Sequence, residues 1–255
     1  MEASLTTQVR IIAALVLRET RATFGTSQIG YLWAIIVPAA GTMLLVLLFS
    51  AVGRHPPFGA SLALFFATGI LTLEFFNKLS ASLMTAFEAN RALMAYPLLK
   101  GADFLFARAI LIGATYALIM GLFFCTLIAL DMAGLPAHPM ALMEAFAVTL
   151  IFGFGFGATN AVIVSLLDSW RHVEKILTRP LIFISGVFYV PSALPASARE
   201  WVAWNPVLHA IEWLRNGYYA NYDSRVLDKT YLVGIALCLV FTGLAGERLT
   251  RSRRN

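Results

Sequence analysis

Apolar residues along the chain come in long blocks separated by short polar stretches. The block at 31–52 carries no charge, and a second at 61–87 is interrupted by Glu74 and Lys78. Others lie at 105–130 and 145–167, at 180–192 (punctuated by Gly186 and Pro191) and at 230–248. A helix needs about 20 mostly apolar residues to cross a bilayer. The pattern therefore predicts an all-α integral membrane protein of six transmembrane helices, forming one domain over residues 1–255.

Two stretches break this rhythm. Over 5–24, Thr7, Arg10, Arg18 and Arg21 recur near helical spacing, opposite Val9, Ile12 and Val16. That alternation predicts an amphipathic helix lying in the membrane interface. Between the fifth and sixth blocks, 193–228 holds Trp201, Trp204, Trp213, Tyr218, Tyr219 and Tyr222, with Pro206 between two short helix candidates. This suits helices at the outer interface, or a re-entrant pair, because Trp and Tyr collect at that depth.

Composition agrees: 59% of residues are hydrophobic and only 13% charged, against about a quarter charged in soluble domains. The net charge of +5 therefore speaks for basic cytoplasmic loops rather than nucleic acid. With both termini inside, the cytoplasmic segments hold Arg10, Arg18, Arg21, Arg91, Lys100, Arg171, Lys175, Arg179, Arg248, Arg251, Arg253 and Arg254. The outer segments hold Arg54, Arg199, Arg215, Arg225 and Lys229. This bias predicts cytoplasmic termini. Cys125 and Cys238 lie inside apolar blocks as small hydrophobes, and no signal peptide is expected.

Two motifs carry a family resemblance. Residues 21–38, RATFGTSQIGYLWAIIVP, contain Ser27, Ile29-Gly30, Leu32-Trp33 and Pro38 in order, although Phe24-Gly25 stands where many relatives carry a basic residue. Residues 205–224, NPVLHAIEWLRNGYYANYDS, contain Asn205-Pro206, His209, Glu212, Arg215 and Gly217-Tyr218. Both segments resemble permease subunits of polysaccharide-exporting ABC transporters, closest to the capsule branch. The resemblance implies a homodimer that passes lipid-linked polysaccharide from cytoplasm to periplasm through a channel between its copies. It also implies a location in the bacterial inner membrane and two separate ATPase subunits that carry ATP and magnesium. A periplasmic adaptor and an outer-membrane export protein would complete the route.

The residues themselves show no active site. There is no GxxxxGK[ST] loop, HExxH or GxSxG, and His172-x-Glu174 has no ligand cysteines after it, so neither a metal nor a cofactor is expected on this chain. Gly153 and Gly157 form a GxxxG spacing that permits close helix packing. Energy must then come from the partner ATPase, through the segment 88–100. It is helix-compatible up to Tyr96, where Pro97 stops it. Glu88, Asn90 and Arg91 offer polar contacts and Leu93, Met94 and Tyr96 an apolar face, as a coupling helix would.

A sliding polymer needs a wide path with weak contacts, which aromatic faces supply. Candidates are Trp33, Phe65, Phe66, Phe75, Tyr116, Phe183, Phe188 and Tyr189, with Glu74 and Lys78 as the ionisable groups near mid-membrane. Glu74 and Lys78 are spaced i,i+4 and either line the path or pair with each other. Arg108 is expected to snorkel and Glu144 to lie at the outer interface. The outer-face candidates are Trp201, Trp204, His209, Glu212, Trp213, Arg215 and Tyr218.

Other readings remain at this point. A permease for O-antigen, teichoic acid, a lipid or a drug would share these features. A secondary transporter would show internal repeats, and a membrane enzyme on lipid-linked sugars would cluster its histidines. Here His55, His138, His172 and His209 fall in separate loops.

Overall fold

A computed structural model describes residues 2–24, 28–96 and 98–254, with side chains omitted for 2–7, 24, 28–31, 34 and 252–254. Ser27 and Pro97, singled out above, lie outside the described residues, as do the side chains of Thr7 and Ile29.

Every regular element among the described residues is helical. In chain order these are α1 (Glu2–Phe24), α2 (Gln28–Ala51), α3 (Leu62–Met84), α4 (Ala86–Ala89), α5 (Gly101–Ala129), α6 (Pro139–Leu166), α7 (Trp170–Thr178), α8 (Leu181–Ile184), α9 (Ala196–Val202), α10 (Pro206–Tyr218) and α11 (Lys229–Arg254), with 3₁₀ turns at Leu93–Ala95 and Pro191–Ala193. Among the described residues four helices are long and apolar enough to cross a membrane: α3, α5, α6 and the Lys229–Arg251 part of α11. α2 adds the apolar stretch Ile35–Ala51.

α3 is the central post. Ser61 caps its start by accepting a hydrogen bond from the Leu64 amide. Phe65, Phe66, Leu71, Phe75, Phe76, Leu79 and Leu83 along it are almost fully buried. α6 packs against α3 on one side and α11 on another, and glycines make both approaches close. A methyl group on Gly153 or Gly157 would sit 2.7 Å from Leu79 or Leu83 of α3, and one on Gly155 would sit 2.6 Å from the Val240 amide of α11. The GxxxG pair thus seats α3 as its spacing suggests, and the glycine between them seats α11.

The fifth apolar block departs from expectation. Residues 180–192 do not form one helix: α8 is four residues long, and the chain turns through Gly186 at φ +74° before Pro191. Pro180 lacks the amide that would carry α7 onward, and only glycine accepts that φ without strain. The broken run nonetheless lies antiparallel to α3. Arg171 pairs with Glu88, Glu174 with Ser80, and Val187 packs on Gly69. The chain then folds back through α9 into α10, a helix buried against α3, α6 and α11.

The coupling segment is likewise not one helix up to Tyr96. α4 ends at Ala89, a turn follows, and the Leu93–Ala95 3₁₀ turn leaves Tyr96 extended.

Candidate functional site

Three polar arrangements stand out in an otherwise apolar body: at the Ser61 end of α3, which the charge bias expects on the outer side, along the middle of α3, and at the segment 88–100 expected to couple.

The outer arrangement is built by α10, and its geometry explains each letter of the Asn-Pro–His–Glu–Arg–Gly-Tyr motif. Asn205 caps α10 by accepting from the Val207 amide, while its side-chain amide donates to Ser185 and to the Ile184 carbonyl. Pro206 occupies the first helical position, where no amide is needed. His209 accepts from the Asp228 amide at Nδ1, so Nε2 carries the proton and donates to the Ala203 carbonyl at 2.7 Å. Arg215 is wholly buried. It donates to the carbonyls of Gly186, Val187, Tyr189 and Phe65 and to the Thr68 hydroxyl, and it lies 3.9 Å over the Phe65 ring. Glu212 is 3.4 Å from Arg215 and accepts from Tyr222 and Ser224, each at 2.6 Å. Burial, with the Glu212 charge second, pushes the Tyr222 phenol well above its usual range. Gly217 lets α10 touch the Leu142 backbone, and Tyr218 donates to the Gly134 carbonyl. Every ionised group in this knot has partners on several elements, so the knot holds the Gly186 turn, α3, α10 and the 222–224 loop as one body.

Of the other outer candidates, Trp201 and Trp204 are exposed, whereas Trp213 is buried beneath Lys229. Glu144 meets Lys229 at 3.8 Å with both side chains half-exposed.

The path candidates divide sharply. Phe65, Phe66, Phe75 and Tyr116 are buried inside the chain, Phe75 stacked between Tyr116 and Phe146. Phe188 and Tyr189 are half-buried on the Gly186 turn, with Phe188 against Phe49 and Phe66. Trp33 on α2 and Phe183 on α8 are exposed, at 58% and 68%. Glu74 and Lys78 do not pair. Lys78 lines a cavity of about 340 Å³ with Glu19, Arg108 and Tyr116. Glu74 lines another of about 380 Å³ with Asn77, Gly41, Thr178 and Arg179. In that second cavity Glu74 Oε2 and Asn77 Oδ1 are shielded from solvent and have no hydrogen-bond partner. An orphaned acceptor of this kind costs about 1–3 kcal/mol, so the pair stands apart from Arg215 and Glu212, whose charges both have partners.

At the Met84 end of α3, expected on the cytoplasmic side, the coupling candidates also separate. Glu88, Arg91 and Tyr96 are exposed. Glu88 pairs with Arg171 at 2.7 Å, and Arg171 also reaches Asp168 at 3.0 Å. Beneath them lies a cavity of about 300 Å³ floored by Met84 and Phe87. Asn90 is buried instead, donating to Glu19 and to the Ala86 carbonyl and contacting Arg18. Leu93 packs against the small cluster of Leu15, Phe104 and Ala107.

The sequence reading missed the group that holds this corner together. Glu19, 4% exposed, gathers Arg18, Asn90 and Arg108 around one carboxylate. Arg108 does not snorkel: it turns inward to Glu19 and to the Ser82 carbonyl and Thr85 hydroxyl. Gln8 meets Asp103, whose other oxygen takes the Lys100 amide. The one available signal was an acid amid the basic residues of the amphipathic stretch. Its partners are 71 and 89 positions away in sequence, beyond any local pattern.

Comparison with known proteins gives this architecture a lineage. The family model described as "ABC-2 type transporter" matches residues 10–219. The chain is 29% identical over 237 residues to the polysialic acid transport protein KpsM of Escherichia coli, covering 92% of this chain and 91% of that protein. It is 26% identical over 241 residues to the capsule polysaccharide export inner-membrane protein BexB of Haemophilus influenzae, covering 94% and 91%. It is also 26% identical over 244 residues to the protein of the same description, CtrC, of Neisseria meningitidis serogroup A, covering 95% and 91%. The match runs from within α1 to the end of α10, and the chain belongs to the ABC-2 type transporter family of membrane proteins.

Proposed function

We propose that this chain is the inner-membrane permease of an ATP-driven exporter of capsular polysaccharide, working as a homodimer with two separate ATPase subunits. The observation that carries the reading is the length of the likeness. It covers nine-tenths of both this chain and relatives named for capsule or polysialic acid export. The family match alone spans residues 10–219, which hold most of α1, the apolar helices before α11 and the α9–α10 fold-back.

Six crossings follow if α2, α3, α5, α6 and α11 are joined by the broken run 170–190. Those 21 residues, read off the chain, would reach about 31 Å at a helical rise, enough for the hydrocarbon core. Both termini then face the cytoplasm, and α9–α10 re-enters from outside. Irregular backbone at such depth must be buried in protein, and the carbonyls taken up by Arg215 support this. Exposed Trp33 and Val37 on α2, and Ile176, Leu177 and Phe183 on α7–α8, flank α3 on one side and form the face that meets the second copy. The polymer passes between the copies, its lipid end entering from the cytoplasmic leaflet. ATP and magnesium act on the partner chain. Force enters at Glu88, Arg91 and Tyr96 and reaches α1 and α5 through Asn90 and Glu19.

The test is purification from native membranes in mild detergent through a tag on the C-terminus. An ATPase recovered in equal amount, with surface polysaccharide lost on deletion of this gene, supports the reading. A chain that elutes without an ATPase while surface polymer persists in the deletion strain sinks it.

A further inference from the structure

We propose that Glu74 and Asn77 form a subsite for the hydroxyl groups of one acidic sugar unit, in the cavity between α2, α3 and the α7–α8 run. This deepens the transport reading and rests on it.

The cavity of about 380 Å³ falls within the range of small-ligand sites. Glu74 and Asn77 are one helical turn apart on α3, so they share a face. Each contributes an oxygen that is shielded from solvent and lacks a donor. Two acceptors side by side select a ligand that donates twice, which a sugar ring does with two of its hydroxyls. A cation could also satisfy them, but Arg179 lines the same cavity and opposes it. Among the described residues, no group of three metal-ligating side chains occurs. The same Arg179 would attract a carboxylate on the sugar. Leu45, Ile70 and Leu73 supply apolar wall for the ring's C–H face, and Gly41 leaves room on α2.

The cavity also sits where transport would use it. Along α7, Arg171, Glu174 and Thr178 form a polar stripe at i, i+3 and i+7, turned toward the α3 side of the seam. Arg171 pairs with Glu88 through its terminal nitrogen and Glu174 accepts from Ser80, so both carboxylates in that part of the seam are met, although Arg171 Nε is left without a partner. Among the described residues of this seam, the acceptors left unmet are those at the level of Glu74. A ligand there would bridge α3, which leads into the coupling segment, and the broken run beyond α7.

The experiment places a cysteine at Leu45→Cys in a C125A/C238A background, since both native cysteines are exposed. Labelling by a water-soluble maleimide is followed on the purified protein. The probes are a tetrasaccharide containing glucuronic acid and a neutral tetrasaccharide of N-acetylglucosamine. The acidic probe is expected to slow labelling about tenfold at roughly ten times its dissociation constant. N77A should weaken binding about tenfold, as loss of a hydrogen bond to a bound ligand does, and so cut the slowing at that concentration to about twofold. E74Q, which keeps an acceptor, should lose less than E74A, and R179Q should erase the preference for the acidic probe. Labelling rates without sugar report whether each variant keeps its fold. Where E74A changes that rate, N77A and E74Q decide. No protection in the parent, or equal protection in N77A and E74Q, overturns the subsite. Polymer export without protection sinks the subsite alone, whereas protection in a chain that exports no polymer sinks the transport reading alone.

Discussion

The two ends of α3 hold buried charge in opposite ways. At the Ser61 end, expected outside, Arg215 and Glu212 are both sealed, and their partners are backbone carbonyls and hydroxyls of the same chain. At the Met84 end Glu19 is sealed, and two residues before its partner Asn90 stands an exposed rim where Glu88 and Arg171 meet solvent. The charges of Arg215 and Glu212 are met without any other molecule. The inner cluster joins a buried anchor to a surface that something else can push. A fixed body at one end and a graspable edge at the other are what the proposed export, driven from the cytoplasm, would require.

The largest effect is expected from breaking the outer knot. R215M removes the cation and leaves Glu212 buried beside Tyr222, a loss of about 3–5 kcal/mol for a buried pair with one member gone. Thermal unfolding in detergent should show a large drop, and folded yield should fall. E212Q/R215M removes both charges and should recover part of the loss. A double variant no more stable than R215M would mean that the carbonyls released by Arg215, rather than the stranded Glu212, dominate the cost.

Glu19 should matter somewhat less for stability and more for coupling. E19A strips the acceptor from Arg108 and Asn90, with about 1–3 kcal/mol expected for the orphaned donors. Its sharper readout is ATP turnover per polymer exported, since Asn90 then no longer ties the coupling segment to α1. Export that falls only in proportion to the amount of folded protein would reduce Glu19 to a packing residue.

Tyr222 gives the outer knot a pH signature. Burial and the Glu212 carboxylate raise its folded pKa above the ordinary phenol value of 10.0. Above about pH 10 the unfolded chain sheds this proton while the folded chain keeps it, so folding binds the extra proton and stability falls as pH rises. Below that pH the contribution is constant. Y222F should flatten the alkaline slope of the unfolding midpoint without creating one near neutrality. An unchanged slope would mean that the phenol ionises as easily folded as unfolded.

Much of this was legible from residue patterns. The long blocks yield α2, α3, α5, α6 and α11 because continuous apolarity and helical hydrogen bonding leave few alternatives in lipid. The Asn205–Tyr218 motif was visible as a motif, but its meaning was not. Arg215 reads as an outer-loop cation until the Gly186 turn brings three of its carbonyl partners around it. The fifth block misled because hydropathy records composition and ignores the Pro180 and Gly186 breaks. Aromaticity alone could not separate exposed Phe183 from buried Phe65, since both lie in equally apolar surroundings. Glu74 and Lys78 look like an i,i+4 pair in sequence, yet they line different cavities.

The smallest effect on stability is expected at the inner rim, and it separates coupling from folding most cleanly. Glu88 and Arg171 are 62% and 30% exposed at their side chains, so their ion pair contributes under about 1 kcal/mol after solvent screening. E88R and R171E should each unfold within a degree or two of the parent, on the order expected for a surface pair. If the pair only orients the coupling segment, the swap E88R/R171E restores it and export recovers. If Glu88 itself meets the ATPase, the swap restores the pair but not export, because the partner now faces a cation. ATPase activity that continues without export in the swap would assign Glu88 to the partner interface, and full recovery would assign it to the seam with α7.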